Sequence, residues 1–146
     1  MNIFIDCEFN SYKGELISMA LVSETSHAFY EVLPLPENID PWVRENVIPV
    51  LEKKPLASRE EFQMYLEEWL NRFNTIHLIA DWPEDIQYFC EALITGPGER
   101  MSTPPITLEI RRDLDAKSTV PHNALHDALA IMDRHEEIIT EKMCST

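Results

Sequence analysis

The chain begins with an apolar run that ends in two acids, Asp6 and Glu8, which are separated by a single residue, Cys7. Side chains in a β-strand alternate between two faces, so both acids would point the same way, about 6–7 Å apart along the backbone. The three residues before Asp6 are all apolar, which is typical of a central strand that is covered on both faces. The sequence therefore predicts a buried strand, Asn2–Phe9, that presents two carboxylates near its end.

Two carboxylates on one face of a buried strand need a counter-charge. Bringing them together and out of water costs free energy unless a cation neutralises them. Hard oxygen ligands favour Mg²⁺ or Mn²⁺ over softer metals. Asp6 and Glu8 are thus candidate ligands of a divalent metal ion, although each alone could also be an ordinary surface acid at a strand end.

The length and the cysteine content limit the class of protein. A chain of 146 residues suits a single domain, 1–146, with its own hydrophobic core. We find no signal-peptide pattern, and no run reaches the roughly 18–20 apolar residues of a membrane span. The three cysteines are far apart and odd in number, which favours reduced thiols over a disulfide framework. We therefore expect a cytoplasmic protein with no membrane partner.

The net charge restricts the nucleic acids that the chain could bind. It contains 26 acidic and 12 basic residues, which gives a net charge of −14. Proteins that bind long stretches of duplex DNA are usually basic, because they neutralise many phosphates. A short or single-stranded end, held mainly by metal ions at its last phosphates, remains compatible with this charge.

The rest of the chain predicts a sheet covered by helices. Two hairpin-like connections follow the first strand, and strands and helices then alternate. The further strands are predicted at Glu15–Val22, Ala28–Leu33, Thr75–Ala80 and Ile106–Ile110, and the helices at Pro41–Leu51, after Ser58, at Pro83–Ile94 and at Asn123–Met143. This order favours a mixed α/β sheet with helices on both faces.

Three further polar residues lie where these elements begin or end. Asp81 directly follows the fourth predicted strand, and ligands of α/β proteins usually bind at such strand ends. Asp81 could instead cap the next helix, because Asp81 and Glu84 have the spacing of a capping box with an early proline. His122 and Asp127 lie where the last helix opens.

The spacing of His122 and Asp127 indicates how they could act together. Five helical residues would turn the two side chains roughly 140° apart. Asn123 is a plausible N-cap, which would leave His122 in the loop and Asp127 in or just after the first turn. A carboxylate on a rigid helix beside a histidine on a loop suits metal-assisted proton transfer.

These motifs identify a family. Asp6-x-Glu8, Asp81 and His122-x-x-x-x-Asp127 resemble the three motifs of the DEDD exonucleases, the DnaQ-like members of the ribonuclease H fold. A histidine five residues before the last aspartate is similar to the DEDDh branch, whereas the sister branch has a tyrosine at the position of Asn123. The resemblance extends from Asn2 to about Glu137. The short length and the residues around Phe9 and Trp42 look most like the small bacterial and phage exoribonucleases.

The resemblance implies a fold and a mechanism. The fold would be ribonuclease H-like: a mixed five-stranded sheet, with a three-stranded antiparallel meander plus parallel strands. Two Mg²⁺ or Mn²⁺ ions would be bridged by Asp6, with Glu8 and Asp127 completing one site and Asp81 supporting the other. His122 would accept the proton of the attacking water. The products would be nucleoside 5′-monophosphates released one at a time from a 3′ end.

The departures from the family pattern leave the substrate open. Phe9-Asn10-Ser11 follows the first motif in place of the Thr-Thr-Gly of proofreading subunits, and Trp82-Pro83 follows Asp81. The expected partner is single-stranded RNA or a short oligonucleotide 3′ end, with DNA as the alternative and a catalytically silent nucleic-acid-binding module as a third possibility. The sequence does not predict whether the chain forms a homodimer.

Five residues near the motifs are candidates for substrate contact. Phe9 and Trp82 could stack on a terminal base, and three basic residues before His122 could meet phosphates. The same residues could equally belong to the core or to a solvated surface. The basic residues are Arg111, Arg112 and Lys117.

Overall fold

In a computed structural model, which describes residues 1–145, the chain forms a five-stranded mixed sheet, a separate two-stranded hairpin and four α-helices. The strands are β1 (Asn2–Phe9), β2 (Leu16–Ser23), β3 (Ala28–Val32), β4 (Ile76–Ala80), β5 (Ile94–Gly96), β6 (Glu99–Arg100) and β7 (Ile106–Ile110). The helices are α1 (Pro41–Asn46), α2 (Arg59–Leu70), α3 (Pro83–Leu93) and α4 (Ala124–Cys144). No helix of this described part of the chain is long and apolar enough to cross a membrane.

The five-stranded sheet has the order β3-β2-β1-β4-β7. The first three strands form an antiparallel meander, and β4 and β7 continue the sheet parallel to β1. This confirms the predicted fold class, and the order is consistent with a ribonuclease H-like fold. Because β1 and β4 are parallel neighbours, their carboxyl ends lie at the same edge of the sheet.

The alternation of β1 divides the core between the two faces of the sheet. Ile5 and Cys7 pack with the buried residues of α2 and α3 on one face. Phe4 packs with Ala128 and the other buried residues of α4 on the opposite face. Burial of a phenylalanine in such a core typically stabilises the fold by about 3–5 kcal/mol relative to alanine. The side chains of Asp6 and Glu8 share the parity of Phe4 and so point toward α4.

Two segments differ from the sequence-based prediction. The predicted helix Pro41–Leu51 is shorter: α1 ends at Asn46, and a single 3₁₀ turn, Ile48–Val50, follows. Pro49 explains the difference, because it has no backbone N–H and its ring clashes with the carbonyl four residues earlier in an α-helix. After α3, where the sequence analysis predicts no strand, the chain forms a small hairpin in which β5 pairs with β6.

Candidate active site

Four structural elements bring five acids together at one edge of the sheet. Asp6 and Glu8 lie on β1, Asp81 follows β4, and Asp127 lies on α4. The fifth acid is Asp85, in the first turn of α3. The carboxylates form two groups in each of which the ligand atoms lie within 4.8 Å of one another. One group is Asp6, Glu8 and Asp127, and the other is Asp6, Asp81 and Asp85.

Asp85 was not predicted from the sequence, although it is the most buried of the five acids. Its side chain is only 2% exposed, and its Oδ1 accepts a 3.0 Å hydrogen bond from the backbone N–H of Cys7. It occupies the buried face of α3 together with Tyr88, Phe89 and Ala92. That spacing could have predicted the role of Asp85, because a carboxylate on the apolar face of a helix is buried and needs a cation or a hydrogen-bond donor.

The alternative interpretation of Asp81 as a helix cap is wrong. The N-cap of α3 is Trp82, and no side chain caps the helix there. The carboxylate of Asp81 lies instead with Asp6 and Asp85. Its backbone carbonyl accepts a hydrogen bond from the guanidinium of Arg112.

The clustering of acids disfavours their charged forms. Burial raises the pKa of Asp6 well above its usual range, and the charges of the other four acids raise it further, Asp85 first. Burial and then the charge of Asp127 raise the pKa of Glu8 to about 8. Burial also raises the pKa of Asp85, against the lowering effect of the Cys7 N–H, and that of Asp81, against the lowering effect of Arg112.

Two oxygen atoms of this cluster are buried and lack hydrogen-bond partners. They are Oδ2 of Asp6 and Oδ2 of Asp85. A buried acceptor without a partner costs about 1–3 kcal/mol, and more when it is charged. Carboxylate oxygens are the ligands that Mg²⁺ and Mn²⁺ prefer. Both the donor set and the unpaired oxygens therefore fit divalent cations, which would offset this cost.

The loop before α4 holds His122 next to the acids. His122 has a positive φ of 70°, and its backbone N–H donates a 3.1 Å hydrogen bond to Oδ2 of Asp127. Asn123 is the N-cap of α4, as predicted, and its side chain accepts a hydrogen bond from the backbone N–H of His126. The five-residue spacing thus lets the helix acid bind the backbone of the loop histidine.

Ser118 is a second residue that sequence reasoning missed. Its hydroxyl donates a hydrogen bond to Oδ1 of Asp127. It lines a cavity of about 440 Å³ that opens onto the acids, and we call this the His122 cavity. The lining residues are Asp6, Asp81, Ala116, Lys117, Ser118, Pro121, His122, Asp127 and Ile131. A serine in an irregular segment has no periodic pattern that could reveal its place.

The predicted substrate-contacting residues have different surroundings. Arg111 is held by Asp113 through two hydrogen bonds of 2.8 and 2.7 Å. The Arg112 guanidinium lies over the ring of Trp82, 4.6 Å from its centroid. Lys117 lines the His122 cavity. Arg112 and Lys117 therefore border the acids more directly than Arg111 does.

Phe9, the remaining predicted contact, lies where β1 ends. Its ring stacks on that of Tyr88, with the centroids 4.8 Å apart and an interplanar angle of 30°. The ring also lines a second cavity, of about 320 Å³. Phe9 thus packs in the protein and faces open space at the same time.

Comparison with known proteins adds no assignment. No model of a protein family matches this sequence, and no curated protein matches it either. The function has to be argued from the geometry of the acids and their surroundings.

Proposed function

We propose that this protein is a metal-dependent 3′→5′ exonuclease of the DEDDh type that degrades RNA from its 3′ end. The observation that supports this most is the pair of carboxylate groups that share Asp6. Two ligand sets joined by one carboxylate suit two neighbouring cations. His122 lies beside them in the loop that Asp127 anchors.

The acids would hold two Mg²⁺ or Mn²⁺ ions. Asp6 would contribute to both sites, with Glu8 and Asp127 on one side and Asp81 and Asp85 on the other. When bound, two divalent ions stabilise the attacking and leaving oxygens of an in-line displacement at phosphorus. Asp85 adds a fifth acid to the four that the sequence predicted.

His122 would serve as the general base. Its imidazole accepts a proton from a water molecule while the water oxygen forms a bond to the terminal phosphorus. The bond between that phosphorus and the 3′ oxygen of the preceding nucleotide breaks, and solvent protonates the 3′ oxygen. The products are a nucleoside 5′-monophosphate and a chain shorter by one residue. Asp127 keeps the backbone of His122 in place through its 3.1 Å hydrogen bond.

The basic residues near the acids would attract the phosphates of the substrate. Lys117 lines the His122 cavity and also a neighbouring cavity of about 550 Å³ along α4. Arg112 lies against Trp82 and donates a hydrogen bond to the backbone carbonyl of Asp81. With a net charge of −14, long duplexes would be repelled, so a short or single-stranded end is the substrate we propose.

The proposal can be tested with matched RNA and DNA oligomers labelled at either end, in Mg²⁺, in Mn²⁺ and in EDTA. We expect 5′-labelled RNA to give a ladder and 3′-labelled RNA to release a labelled mononucleotide, with no cleavage in EDTA. A circular RNA of the same sequence, which has no end, should stay intact. Cleavage of the circle or activity without divalent metal would contradict the proposal, and a preference for DNA would select the exodeoxyribonuclease alternative.

A further inference from the structure

The two edges of the five-stranded sheet differ in how they are covered. At one edge, the segment before α2 bonds to β3. Lys53 Nζ donates a 2.7 Å hydrogen bond to the carbonyl of Tyr30, and the N–H of Leu56 donates a 2.8 Å bond to that of Val32. At the other edge, no segment of residues 1–145 pairs with the outer side of β7. An open edge of this kind can pair with a strand of another chain.

The bonds between β4 and β7 show which residues of β7 face outward. The N–H of Arg111 donates a 2.7 Å hydrogen bond to the carbonyl of Ala80 at the end of β4. Alternate residues of a strand direct their N–H and C=O groups to opposite sides, so the odd-numbered residues of β7 bond to β4. The N–H and C=O groups of Ile106, Leu108 and Ile110 therefore point away from the sheet.

The outward residues of β7 also carry apolar side chains that solvent reaches. Leu108 and Ile110 are 44% and 45% exposed. A cavity of about 470 Å³, which we call the α3–β7 groove, adjoins them. The lining residues are Phe89, Cys90, Leu93, Arg100, Thr103, Pro104, Pro105, Ile106 and Leu108. Natural proteins usually protect an edge strand with charges or with a covering segment, and neither covers these side chains.

A second copy of the chain fits this edge in an antiparallel register. In a symmetric pair of identical strands, the residue on the two-fold axis lies opposite itself. With Leu108 on the axis, Ile106 lies opposite Ile110 of the second copy, and the outward N–H and C=O groups of both strands bond to each other. On the other face of the strands, Thr107 lies opposite Glu109, so no like charges meet.

The neighbouring registers are less favourable. With Thr107 on the axis, Ile110 would lie opposite Pro104, which has no N–H to donate. With Glu109 on the axis, two carboxylates would lie directly opposite each other. With Ile110 on the axis, the first part of the strand would stay unpaired. The register centred on Leu108 therefore pairs the whole of β7 without opposing like charges.

The charges at this edge allow two copies to approach, although the chain has a net charge of −14. In the segment 101–112, Arg111 and Arg112 outnumber the one acid, Glu109. The carboxylate of Glu109 lies 2.7 Å from Nε2 of His77 and 3.8 Å from Nη1 of Arg111. More distant acids are screened beyond a Debye length of about 8–10 Å at physiological ionic strength. The edge itself therefore does not repel a second copy.

We propose that two copies of this chain associate through β7, in antiparallel register about Leu108, and join their five-stranded sheets into one continuous sheet. Ile110 of the second copy then lies beside Ile106 and covers part of the α3–β7 groove. Because β7 runs parallel to β4 and antiparallel to its own copy, the two clusters of acids lie at opposite edges of the joined sheet. The inference does not depend on the proposed function.

The oligomeric state of the full chain in solution tests this interface. Analytical ultracentrifugation should give a mass near twice 17.0 kDa that falls on dilution. Leu108→Lys places like charges opposite each other on the axis and should give a monomer. Met64→Lys changes an exposed apolar residue of α2 in the same way and should leave the dimer intact. A dimeric Leu108→Lys would overturn the proposal, and so would a monomeric wild type, which would leave the edge to a segment of a different protein.

Charge changes at position 107, which is exposed, test the register. Thr107→Lys places an amine opposite Glu109 of the second copy and should strengthen the dimer by about 2- to 30-fold, because the contact occurs twice. Thr107→Glu places like charges there and should weaken the dimer by a similar factor. In the register centred on Glu109, position 107 would instead lie opposite Arg111, and both effects would be reversed. Reversed or absent effects would overturn the proposed register.

Amide hydrogen exchange tests which surface forms the contact. The outward N–H groups of Ile106, Leu108 and Ile110 should exchange slowly in the wild-type dimer and rapidly in Leu108→Lys. The N–H groups of Thr107 and Glu109, which face β4, should be protected in both proteins. A wild-type dimer in which the three outward groups exchange rapidly would use another surface and would overturn the proposal.

Discussion

The backbone N–H of Cys7 lies 3.0 Å from Oδ1 of Asp85 and donates a hydrogen bond to it. This bond connects the strand that carries two of the acids to the helix that carries a third. The other oxygen of Asp85 has no hydrogen-bond partner, and the carboxylate belongs to the same group as those of Asp6 and Asp81. Asp85 therefore belongs to the candidate site on geometric grounds.

Asp85→Asn should inactivate the protein without unfolding it. The amide oxygen of asparagine can still accept the Cys7 N–H, but one carboxylate is lost. Mutation of a residue that only hydrogen-bonds to a metal ligand typically reduces metal affinity or activity by about 10–100-fold. Because Asp85 is itself a candidate ligand, we expect a loss of activity of at least this size. In EDTA the variant should unfold at a higher temperature than the wild type, because one buried acid is removed. Glu68→Gln, an exposed change on α2, is the control, and full activity in Asp85→Asn would exclude Asp85 from the site.

Divalent metal should stabilise the wild type against heat. An ion that binds only the folded state at 100 times its dissociation constant adds about 2.7 kcal/mol, which corresponds to roughly 5–10 °C in a chain of this size. Asp6→Asn should lose most of this shift, because Asp6 belongs to both carboxylate groups. The measurement is thermal unfolding with Mg²⁺, Mn²⁺ or EDTA. Equal shifts in the variant and the wild type would show that the ions bind elsewhere.

His122→Ala should separate proton transfer from metal binding. We expect kcat to fall by about 10²–10⁴-fold, the usual contribution of a general base. Stabilisation by metal should be retained, because neither carboxylate group contains this histidine. Kinetics and thermal shifts on the same preparation test both expectations. A normal kcat in the variant would show that His122 is not the general base. Loss of the thermal shift would show that His122 is a metal ligand.

The turn after β1 should not tolerate a side chain at Gly14. A Cβ there would lie 1.7 Å from the backbone oxygen of Asn10, the residue whose side chain binds the start of α1. Gly14→Ala should therefore destabilise the fold by more than Gly98→Ala. At Gly98 the space is open and only the positive φ of 68° opposes the change, at a cost of about 1–2 kcal/mol. Urea denaturation of both variants measures the loss in the free energy of unfolding. Equal losses in Gly14→Ala and Gly98→Ala would show that the contact with Asn10 is unimportant.

His135 should make the fold less stable in mild acid. Its side chain packs against Phe4, with ring centroids 5.0 Å apart. Burial and then Arg111 lower the pKa of His135, against nearby Glu109, Glu136 and Glu24. The unfolded state therefore binds the proton more readily, so stability is full above about pH 6.5 and is lost as the pH falls below it.

The variant His135→Leu isolates this contribution. The free energy of unfolding of both proteins should be measured in the presence of EDTA. The carboxylates of the candidate site then titrate in the same way in both proteins, and their contribution cancels in the difference. The free energy of unfolding of the wild type should fall relative to that of the variant as the pH drops from about 7.5 to about 5.5. A constant difference across this range would show that the histidine is not held neutral.

Much of the fold could be predicted because its signals are local. The bounds of β1 and β7 match the prediction, and Asn123 caps α4 as expected. The prediction of the helix Pro41–Leu51 underestimated the helix-breaking effect of Pro49, because a 3₁₀ turn replaces the end of that helix. Alternation along β1 correctly placed Asp6 and Glu8 on one face, because strand periodicity depends only on the backbone.

The candidate site could be predicted only in part, because some of its residues depend on tertiary structure. Asp85 was obscured by the capping-box spacing of Asp81 and Glu84, which drew attention to the helix start and away from its buried face. Ser118 reaches Asp127 only because an irregular segment folds back over α4. The helical spacing that puts Asp85 on the buried face of α3 was a signal that could have been used, whereas Ser118 belongs to no periodic pattern and could be found only from the three-dimensional arrangement.

The hydrogen bond from position 7 to Asp85 comes from the main chain and not from the thiol. Every amino acid except proline has that N–H. The side chain of Cys7 is buried in the core on the other face of the sheet. Any substitution at position 7 therefore needs only a side chain that is small and apolar enough for this core. Valine or alanine could occupy the position between the two acids and leave the anchor of Asp85 intact. A search for proteins built on the same plan should therefore leave this position open, exclude proline there, and require the distant aspartate instead.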